Sequence, residues 1–516
     1  MYINDLISKI ILWLSDIAIL TIEPQRRIVE QTLIRYLINE RKVKFSYLYL
    51  LAMVEIRLSA FSSNPFVLGK SVMKMVASTA ANSLPFLGTH RHSKAVQDRF
   101  RGERVQLLVE SLALDSHEQK DLTEKLLASR NEMDLTRRLA ELQKAKIKNT
   151  LDPNKKTIAT YSTSGAYREQ FGNIIERLRE KGYNAITLLG KPRSPEFGTK
   201  QGVFYAGLDI VSFMDFVDVF LTAGDAYPFL PTGAKVGLFL HDIHDSPLGN
   251  LDDILAGILF YDFQFIPSAC VLERNKNLVG SAQKKLSGKI GNTAQTCLIP
   301  GGYIKLDSNI QYFEKNKRDS RTIIYAPTVF GPGFENMVSL DTYGDRIIGA
   351  VLENFPDYDL IFRPHPRTSD SQYVKAILAK YGENPRFAFD DNATFYMDNY
   401  SKATLMISDM SGTAFTYAFS TLRPVIFFSH NETKVISKIG EYSYFKDRGK
   451  IGYVVFNIDE MVEKIKLTLA HKEKLSAKVK QYRDSTIYNV GTAEDYFVNN
   501  FEYIIENKKH RDWVYL

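Results

Sequence analysis

Two polar motifs in this chain each follow a short apolar run, and this arrangement limits the fold more than any other feature. The run Tyr358–Phe362 leads into Arg363-Pro364-His365-Pro366-Arg367, and the run Ala403–Ile407 leads into Ser408-Asp409-Met410-Ser411-Gly412-Thr413. The apolar segment Ala414–Phe419 that comes next predicts a helix. Strand, polar turn and helix in this order are typical of an open α/β sheet, whose ligands bind beyond the carboxyl ends of the strands. We therefore expect both motifs to line one pocket.

Length and composition favour a folded protein of several domains. The 516 residues are too many for one ordinary hydrophobic core, so we expect two or three domains. Hydrophobic residues make up 45% of the chain and charged residues 24%, which is typical of a folded soluble protein and argues against disorder. Cys270 and Cys297 form neither a disulfide framework nor a metal-ligand spacing, and we expect buried thiols without a chemical role.

Changes of hydrophobic period divide the chain into parts. Residues 1–150 carry apolar positions at helical spacing and predict a helical N-terminal region. The pattern then changes to a strand over Thr157–Tyr161, a helix over Gln170–Lys181 and a strand over Ala185–Leu189. This βαβ unit opens a Rossmann-like domain that we place at residues 151–315.

A second domain of the same type is predicted over residues 316–516. Strands are predicted at Thr322–Thr328 and Pro424–Phe428, a helix at Tyr343–Asn354, and a further helix at the C-terminal end. Two Rossmann-like domains that face each other across a cleft form the glycosyltransferase B (GT-B) architecture. The predicted fold class is therefore α/β, with GT-B architecture and an added helical N-terminal region.

Positive charge is concentrated near the start of the chain. From Thr21 to Arg104 there are 14 Lys and Arg against 6 Asp and Glu, a net charge of +8, while the whole chain carries +7. Three charged residues interrupt the apolar stretch 1–22, so we predict an amphipathic helix rather than a signal peptide or a spanning helix. Residues 1–104 are then expected to contact an anionic membrane surface, or to form a helical domain with solvated basic residues. Nucleic acid is not an expected partner, because no binding motif accompanies the charge.

A series of motifs in one order carries a resemblance to a known family. The motifs are short polar or proline-containing segments at strand ends, namely His244-Asp245-Ser246-Pro247-Leu248, Pro300-Gly301-Gly302-Tyr303-Ile304-Lys305-Leu306-Asp307, Ile324-Tyr325-Ala326-Pro327-Thr328, Arg363-Pro364-His365-Pro366, Ser408-Asp409-Met410-Ser411-Gly412-Thr413 and Arg423-Pro424-Val425-Ile426-Phe427-Phe428. Over residues 236–430 the chain resembles the CDP-glycerol glycerophosphotransferases, the teichoic acid primases and polymerases, and their capsule-polymerase relatives.

The resemblance implies an enzyme of cell-surface polysaccharide synthesis. Such a transferase moves glycerol phosphate, or a related polyol phosphate, from a CDP-activated donor to a glycan or lipid-linked acceptor. It needs no cofactor besides that donor, and it works in the cytoplasm at the inner face of the cell membrane. The resemblance leaves homo-oligomerisation, the acceptor and the product length open.

The acceptor-side motif departs from the family pattern. Asp245 stands where the family has glycine, Gly249 where it has lysine and Ile243 where it has tryptophan, and an additional His241-Asp242 comes before the motif. These changes keep two alternatives open. One is a GT-B glycosyltransferase that uses a CMP-activated acid sugar such as Kdo or a sialic acid, and the other is a non-catalytic scaffold.

Catalytic roles on the acceptor side follow from the resemblance. His244 is the candidate base that takes the proton of the acceptor hydroxyl, because an imidazole with a pKa of about 6.5 accepts a proton near neutrality. Asp242 or Asp245 could orient it. In the glycosyltransferase alternative, one of these two carboxylates is itself the base or the nucleophile.

Donor-binding roles are predicted for the motifs at residues 363–367 and 408–413, which we call the two opening motifs. We expect His365, with Arg363 and Arg367 beside it, to stabilise the charge that develops on the diphosphate. Hydroxyl and N–H groups at a helix start bind phosphate readily, although plain N-capping also explains them. The remaining donor-site candidates are Ser411, Gly412 and Thr413, which bind phosphate in this prediction, Asp409, which either supports the loop or contacts donor hydroxyls, and Thr328, which lines the crevice.

A metal ion is not expected at this site. The chain has no paired Cys-x-x-Cys and no His-Glu-x-x-His, and His241-Asp242-Ile243-His244 is only a weak ligand set. Fixed arginine and histidine side chains can supply the positive charge that a metal would provide. We therefore predict a metal-independent reaction.

Overall fold

The computed structural model describes most of the chain after residue 115. The described residues are 116–127, 132–163, 165–190, 196–197, 200–223, 230–231, 233–247, 254, 261–286, 296–318, 320–330, 334–392 and 396–516. The membrane surface predicted for residues 1–104 lies outside them. Among the described helices, none has the length and the apolar character that crossing a bilayer requires.

The first sheet has eight strands and is parallel except at one edge. Its strands are β1 Thr157–Ser162, β2 Asn184–Leu189, β3 Val203–Tyr205, β4 Val219–Thr222, β5 Lys235–Phe239, β6 Phe263–Ile266, β7 Cys297–Pro300 and β14 Val514–Tyr515. They lie in the order β14-β7-β6-β5-β4-β1-β2-β3. All six residues of β1 are buried, as expected for a central strand of a parallel sheet that is covered on both faces.

Helices cover the first sheet. They are α1 Ser116–Leu127, α2 Glu132–Lys148, α3 Gly165–Arg168, α4 Ile174–Glu180, α5 Leu208–Val211 and α6 Ala269–Leu286. The next helix, α7 Ile304–Asn316, packs mainly on helices of the second domain, with Leu306 and Phe313 buried in that domain's core. Leu139 and Ile147 of α2 are buried in one core with Leu188 and Phe220 of the sheet. The helix α2, which we assigned to a separate N-terminal region, is therefore part of the first domain.

The second sheet has six strands, all parallel. They are β8 Thr322–Tyr325, β9 Asp359–Phe362, β10 Phe387–Phe389, β11 Ala403–Ser408, β12 Val425–Phe428 and β13 Gly452–Val455, in the order β10-β9-β8-β11-β12-β13. The helices packed on it are α8 Ser339–Asn354, α9 Gln372–Tyr381, α10 Tyr396–Lys402, α11 Thr413–Thr421, α12 Glu432–Ile439, α13 Ser443–Ile451, α14 Ile458–Ala470 and α15 Lys472–Thr486. The two α/β sheets confirm the predicted α/β fold class, and residues 1–115 of the predicted helical region lie outside the described residues.

The last part of the chain returns to the first domain. Helices α16 Ala493–Asn499 and α17 Phe501–Ile505 are followed by β14, in which Val514 pairs antiparallel with Leu298 of β7. Phe497 stacks edge-on against Phe239 and Phe265 of the first sheet. The second domain, predicted to run over residues 316–516, therefore gives its final segment to the first domain, because apolar side chains of that segment cover the first sheet.

Candidate functional site

The two opening motifs lie at one edge of the second sheet. Strand β8 lies between β9 and β11, with Ile324 paired to Ile361 on one side and to Met406 on the other. Because the three strands are parallel, the loops that follow them open at the same edge. Strands β9 and β11, which lead to His365 and Ser411, are thus two strand spacings apart, about 10 Å.

The turn between β11 and α11, residues 409–413, has the features of an anion site. Gly412 has helical torsion angles, φ −58° and ψ −22°, and comes directly before α11. The hydroxyl of Ser411 accepts from the N–H of Thr413 at 3.3 Å, while the N–H of Gly412 finds no acceptor among the described residues. A helix start therefore presents a backbone donor toward the crevice, which suits a phosphate group.

Asp409 fastens this turn to the neighbouring strand and helix. One carboxylate oxygen accepts from the N–H groups of Thr328 and Met410, and the other accepts from the N–H and the hydroxyl of Ser339, all at 2.7 to 2.8 Å. The side chain is buried, and burial raises the pKa of Asp409 above its ordinary value. Of the two roles expected for Asp409, the geometry fits support of the loop.

Thr328 is completely buried at the end of β8. Its N–H donates to Asp409, while its hydroxyl oxygen has no hydrogen-bond partner in the described part of the chain. Thr328 therefore lies beside the β11–α11 turn, at the same edge of the second sheet. A direct contact of Thr328 with a ligand stays a prediction.

His365 is arranged as a neutral N–H donor. Its Nδ1 accepts from the backbone N–H of Arg367 at 3.2 Å, which places the ring proton of the neutral imidazole on Nε2. Burial lowers the pKa of His365 below its ordinary value, and the charges of Arg367 and Arg363 lower it further. At neutral pH the ring therefore offers one N–H to a ligand and carries no charge.

The two arginines beside His365 have different surroundings. Arg363 donates to a carboxylate oxygen of Asp390 at 2.6 Å and to the carbonyl of Asn392 at 2.8 Å, and only 12% of its side chain is exposed. Arg367 is exposed. Arg363 thus stabilises the loops around the site, and a contact of Arg367 with a diphosphate stays a prediction.

The loop after β5, residues 241–247, faces the turn from the first domain. A Cβ atom placed on Gly412 would lie 3.4 Å from a carboxylate oxygen of Asp242 and 3.9 Å from the hydroxyl of Ser246. About half of the Asp242 side chain is exposed. The two domains therefore meet at this point, with the β11–α11 turn on one side and Asp242 on the other, and we call this interdomain boundary the crevice.

His244 is buried away from that crevice. Its ring stacks on Phe415 at a centroid distance of 4.1 Å, and Nε2 lies 2.9 Å from the hydroxyl of Tyr482 and 3.4 Å from the carboxylate of Asp447. Burial alone would lower the pKa of His244, but the interactions with Asp447 and with the thiol of Cys270 outweigh it and raise the pKa to about 9. His244 is therefore an imidazolium at neutral pH in this arrangement, a state that cannot accept a proton.

Asp245 links the two domains. One carboxylate oxygen accepts from Arg274 on α6, and the other accepts from the N–H of Ser443 at the start of α13, each at 2.9 Å. Both oxygens are thus engaged by groups other than His244. The aspartate that replaces the glycine of the family pattern has a structural partner in each domain.

Several residues of this site carry no sequence signal. Tyr444, Asp447 and Tyr482 lie on α13 and α15 and contact the turn or His244, yet none belongs to a recognisable motif. Only their place in the folded chain identifies them. Within the described residues, no group of three or more His, Cys, Asp or Glu side chains is placed to hold a metal ion.

Comparisons with known proteins agree with this geometry. Residues 308–501 match the family model of the CDP-glycerol:poly(glycerophosphate) glycerophosphotransferases, a segment that contains the whole second sheet and both opening motifs. The wall teichoic acid polymerase TagF matches at 14% identity and a TM-score of 0.50, covering 72% of this chain and 94% of its own. A TagF variant soaked with CDPG matches with the same identity and TM-score, covering 77% of this chain and 100% of its own. No curated protein matches the chain. The TagF matches support the fold, and the match of residues 308–501 to the glycerophosphotransferase family model agrees with the resemblance that the motifs carry.

Proposed function

We propose that this chain transfers glycerol phosphate from CDP-glycerol to a glycan or lipid-linked acceptor in the synthesis of a teichoic acid. One observation supports the proposal most. The helix-start turn, in which the N–H of Gly412 has no acceptor among the described residues, lies against an accessible carboxylate of the first domain, and the turn is inside the segment that matches the family model. The donor brings the reactive phosphate itself, and no cofactor is needed.

The reaction balances without a further reagent. An acceptor hydroxyl attacks the phosphorus of the glycerol phosphate group, a new P–O bond forms, and the bond from that phosphorus to the bridging oxygen of CMP breaks. CMP leaves with the electron pair and the negative charge. We assign the stabilisation of that charge to the Nε2–H of His365, the guanidinium of Arg367 and the N–H of Gly412.

We assign the proton of the acceptor hydroxyl to Asp242. Its carboxylate is accessible and lies at the turn, whereas His244 is buried and already protonated at neutral pH. His244, the base implied by the family resemblance, is the competing assignment. A pH profile tests the competing assignment, because a rate that depends on deprotonated His244 keeps rising toward pH 9.

The family match favours CDP-glycerol over the CMP-activated acid sugars. A direct test incubates the full chain with CDP-glycerol, CMP-Kdo or CMP-sialic acid and measures CMP release. We expect release from CDP-glycerol alone, and a loss of about 10²–10⁴-fold in the Asp242→Asn variant. The variant Asp391→Asn, which changes an exposed carboxylate past the end of β10, is the matched control.

Each other outcome of this assay has a definite meaning. Release only from a CMP-activated sugar would replace the phosphotransferase with a glycosyltransferase of the same architecture. No release and no binding of CMP would favour the scaffold.

We also propose a location at the inner face of the membrane, as the charge of residues 1–104 suggests. Sedimentation of the full chain with anionic vesicles, compared with neutral vesicles, tests this contact. Equal sedimentation with the two kinds of vesicle would contradict the proposed contact with an anionic membrane.

A further inference from the structure

Helix α13 contacts both walls of the crevice. At its start, the N–H of Ser443 donates to Asp245 of the acceptor-side loop. Tyr444 is the next residue of the helix, and its hydroxyl donates to the carbonyl oxygens of Ser411 at 3.0 Å and of Asp409 at 3.2 Å. The same short helix therefore holds the β11–α11 turn of one domain and the opposing loop of the other.

The position of Tyr444 is fixed by its surroundings. The side chain is completely buried, and its ring packs edge-on against Phe415 of α11 and Phe427 of β12. A side chain held in this way has little freedom to leave its two carbonyl partners. Its hydroxyl acts on the turn from the side opposite the crevice.

The geometry of the peptide bond carries this constraint to the crevice. The peptide unit between Ser411 and Gly412 is planar and trans, so its C=O and N–H point in opposite directions. The hydroxyl of Tyr444, together with the N–H of Ala414 at 3.1 Å, holds the C=O of Ser411 toward the protein interior. The N–H of Gly412 must then point outward, and this is the donor without an acceptor among the described residues.

We propose that Tyr444 is a positioning residue that orients the Gly412 N–H toward the diphosphate of the donor. Tyr444 does not touch the ligand and acts only through the turn. The inference rests on the proposed function for the identity of the ligand, and its ligand class is a nucleoside diphosphate. A purely structural role of Tyr444 in the core is the competing explanation.

The test compares two tyrosine-to-phenylalanine variants of the full chain. Tyr444→Phe removes the hydroxyl and keeps the packing of the ring. Tyr417→Phe is the matched control, because Tyr417 is equally buried on α11 but donates to the carbonyl of Ala403, at the opposite end of β11. Titration calorimetry gives the Kd for CDP, and hydrogen exchange followed by mass spectrometry gives the protection of residues 409–416.

We expect Tyr444→Phe to weaken CDP binding by about 3- to 10-fold, the size of one lost hydrogen bond, and to speed exchange across the turn. Tyr417→Phe should leave both quantities within about twofold of wild type, by the same reasoning. Equal Kd values and equal exchange rates in the two variants would overturn the inference.

The readouts distinguish this inference from the proposed function. A wild-type chain that binds CDP but releases no CMP from CDP-glycerol would refute the function, and the comparison of Kd values would still decide the role of Tyr444. A wild-type chain that binds no CDP would refute both.

Discussion

At the scale of single residues, the site depends on histidines that are set in different protonation states. His365 is kept neutral by burial and by two nearby guanidinium groups, while His244 is kept charged by Asp447 despite deeper burial. The two rings therefore cannot exchange roles. The neutral ring faces the ligand edge of the second sheet, and the charged ring holds the domains together.

Replacement of His365 by glutamine should reduce turnover strongly. His365→Gln keeps a side-chain N–H but changes its direction, so we expect a fall of about 10²–10³-fold in kcat, the usual effect of losing one donor to a developing charge. Initial rates of CMP release from CDP-glycerol measure it. His471→Gln, at the junction of α14 and α15, is the control. A variant at position 365 that turned over normally would exclude the residue from the mechanism.

Sequence reasoning reached some of these residues because strand ends can be recognised locally. The apolar run before Arg363 placed His365 at the carboxyl end of a strand, and the structure agrees. The ion pair between Arg363 and Asp390 could not be predicted in the same way, because Asp390 follows a different strand, β10. A contact between distant segments has no local pattern.

At the scale of secondary-structure elements, Asp409 joins three of them. Its carboxylate accepts hydrogen bonds from the end of β8, from the start of α8 and from its own turn after β11. The predicted strand Tyr358–Phe362 and helix Ala414–Phe419 are confirmed with small changes at their ends, as β9 and as the central part of α11. The spacing of apolar residues was enough to predict these two elements. It did not decide between the two roles predicted for Asp409, whose carboxylate joins them.

Replacement of Asp409 by asparagine should destabilise the second domain. Asparagine offers one acceptor oxygen in place of two, so at least one buried N–H loses its partner, at a cost of about 1–3 kcal/mol. We expect a lower Tm by calorimetry and weaker CDP binding. The exposed Asp391→Asn should leave Tm unchanged. A Tm equal to that of wild type in the Asp409 variant would contradict the role of this carboxylate.

At the scale of the whole molecule, a charged side chain, the imidazolium of His244, is buried at the contact between the two domains. His244 of the first domain is enclosed by Phe415, Asp447 and Tyr482 of the second. Its pKa is raised from an ordinary value of 6.5 to about 9. The raised pKa means that protonation favours the closed contact, so this contribution to stability is complete below pH 6.5 and is lost as pH rises through 9.

The thermal stability of the protein should therefore fall between pH 7 and pH 9. We expect a decrease in Tm on the order of 4–8 °C, the effect of about 2 kcal/mol in a domain of this size. Differential scanning calorimetry across this range measures it, with His244→Gln as the matched variant that lacks the titrating group. The same slope in both proteins would show that the dependence arises elsewhere.

Strand β14 has a consequence for biosynthesis. The first sheet obtains its antiparallel edge from a segment that follows the entire second sheet in the chain. While the ribosome is still making the second domain, the first has its β7 edge unprotected, and such an edge can pair with another nascent chain. The first sheet can be completed only after the second domain and the β14 segment have left the ribosome.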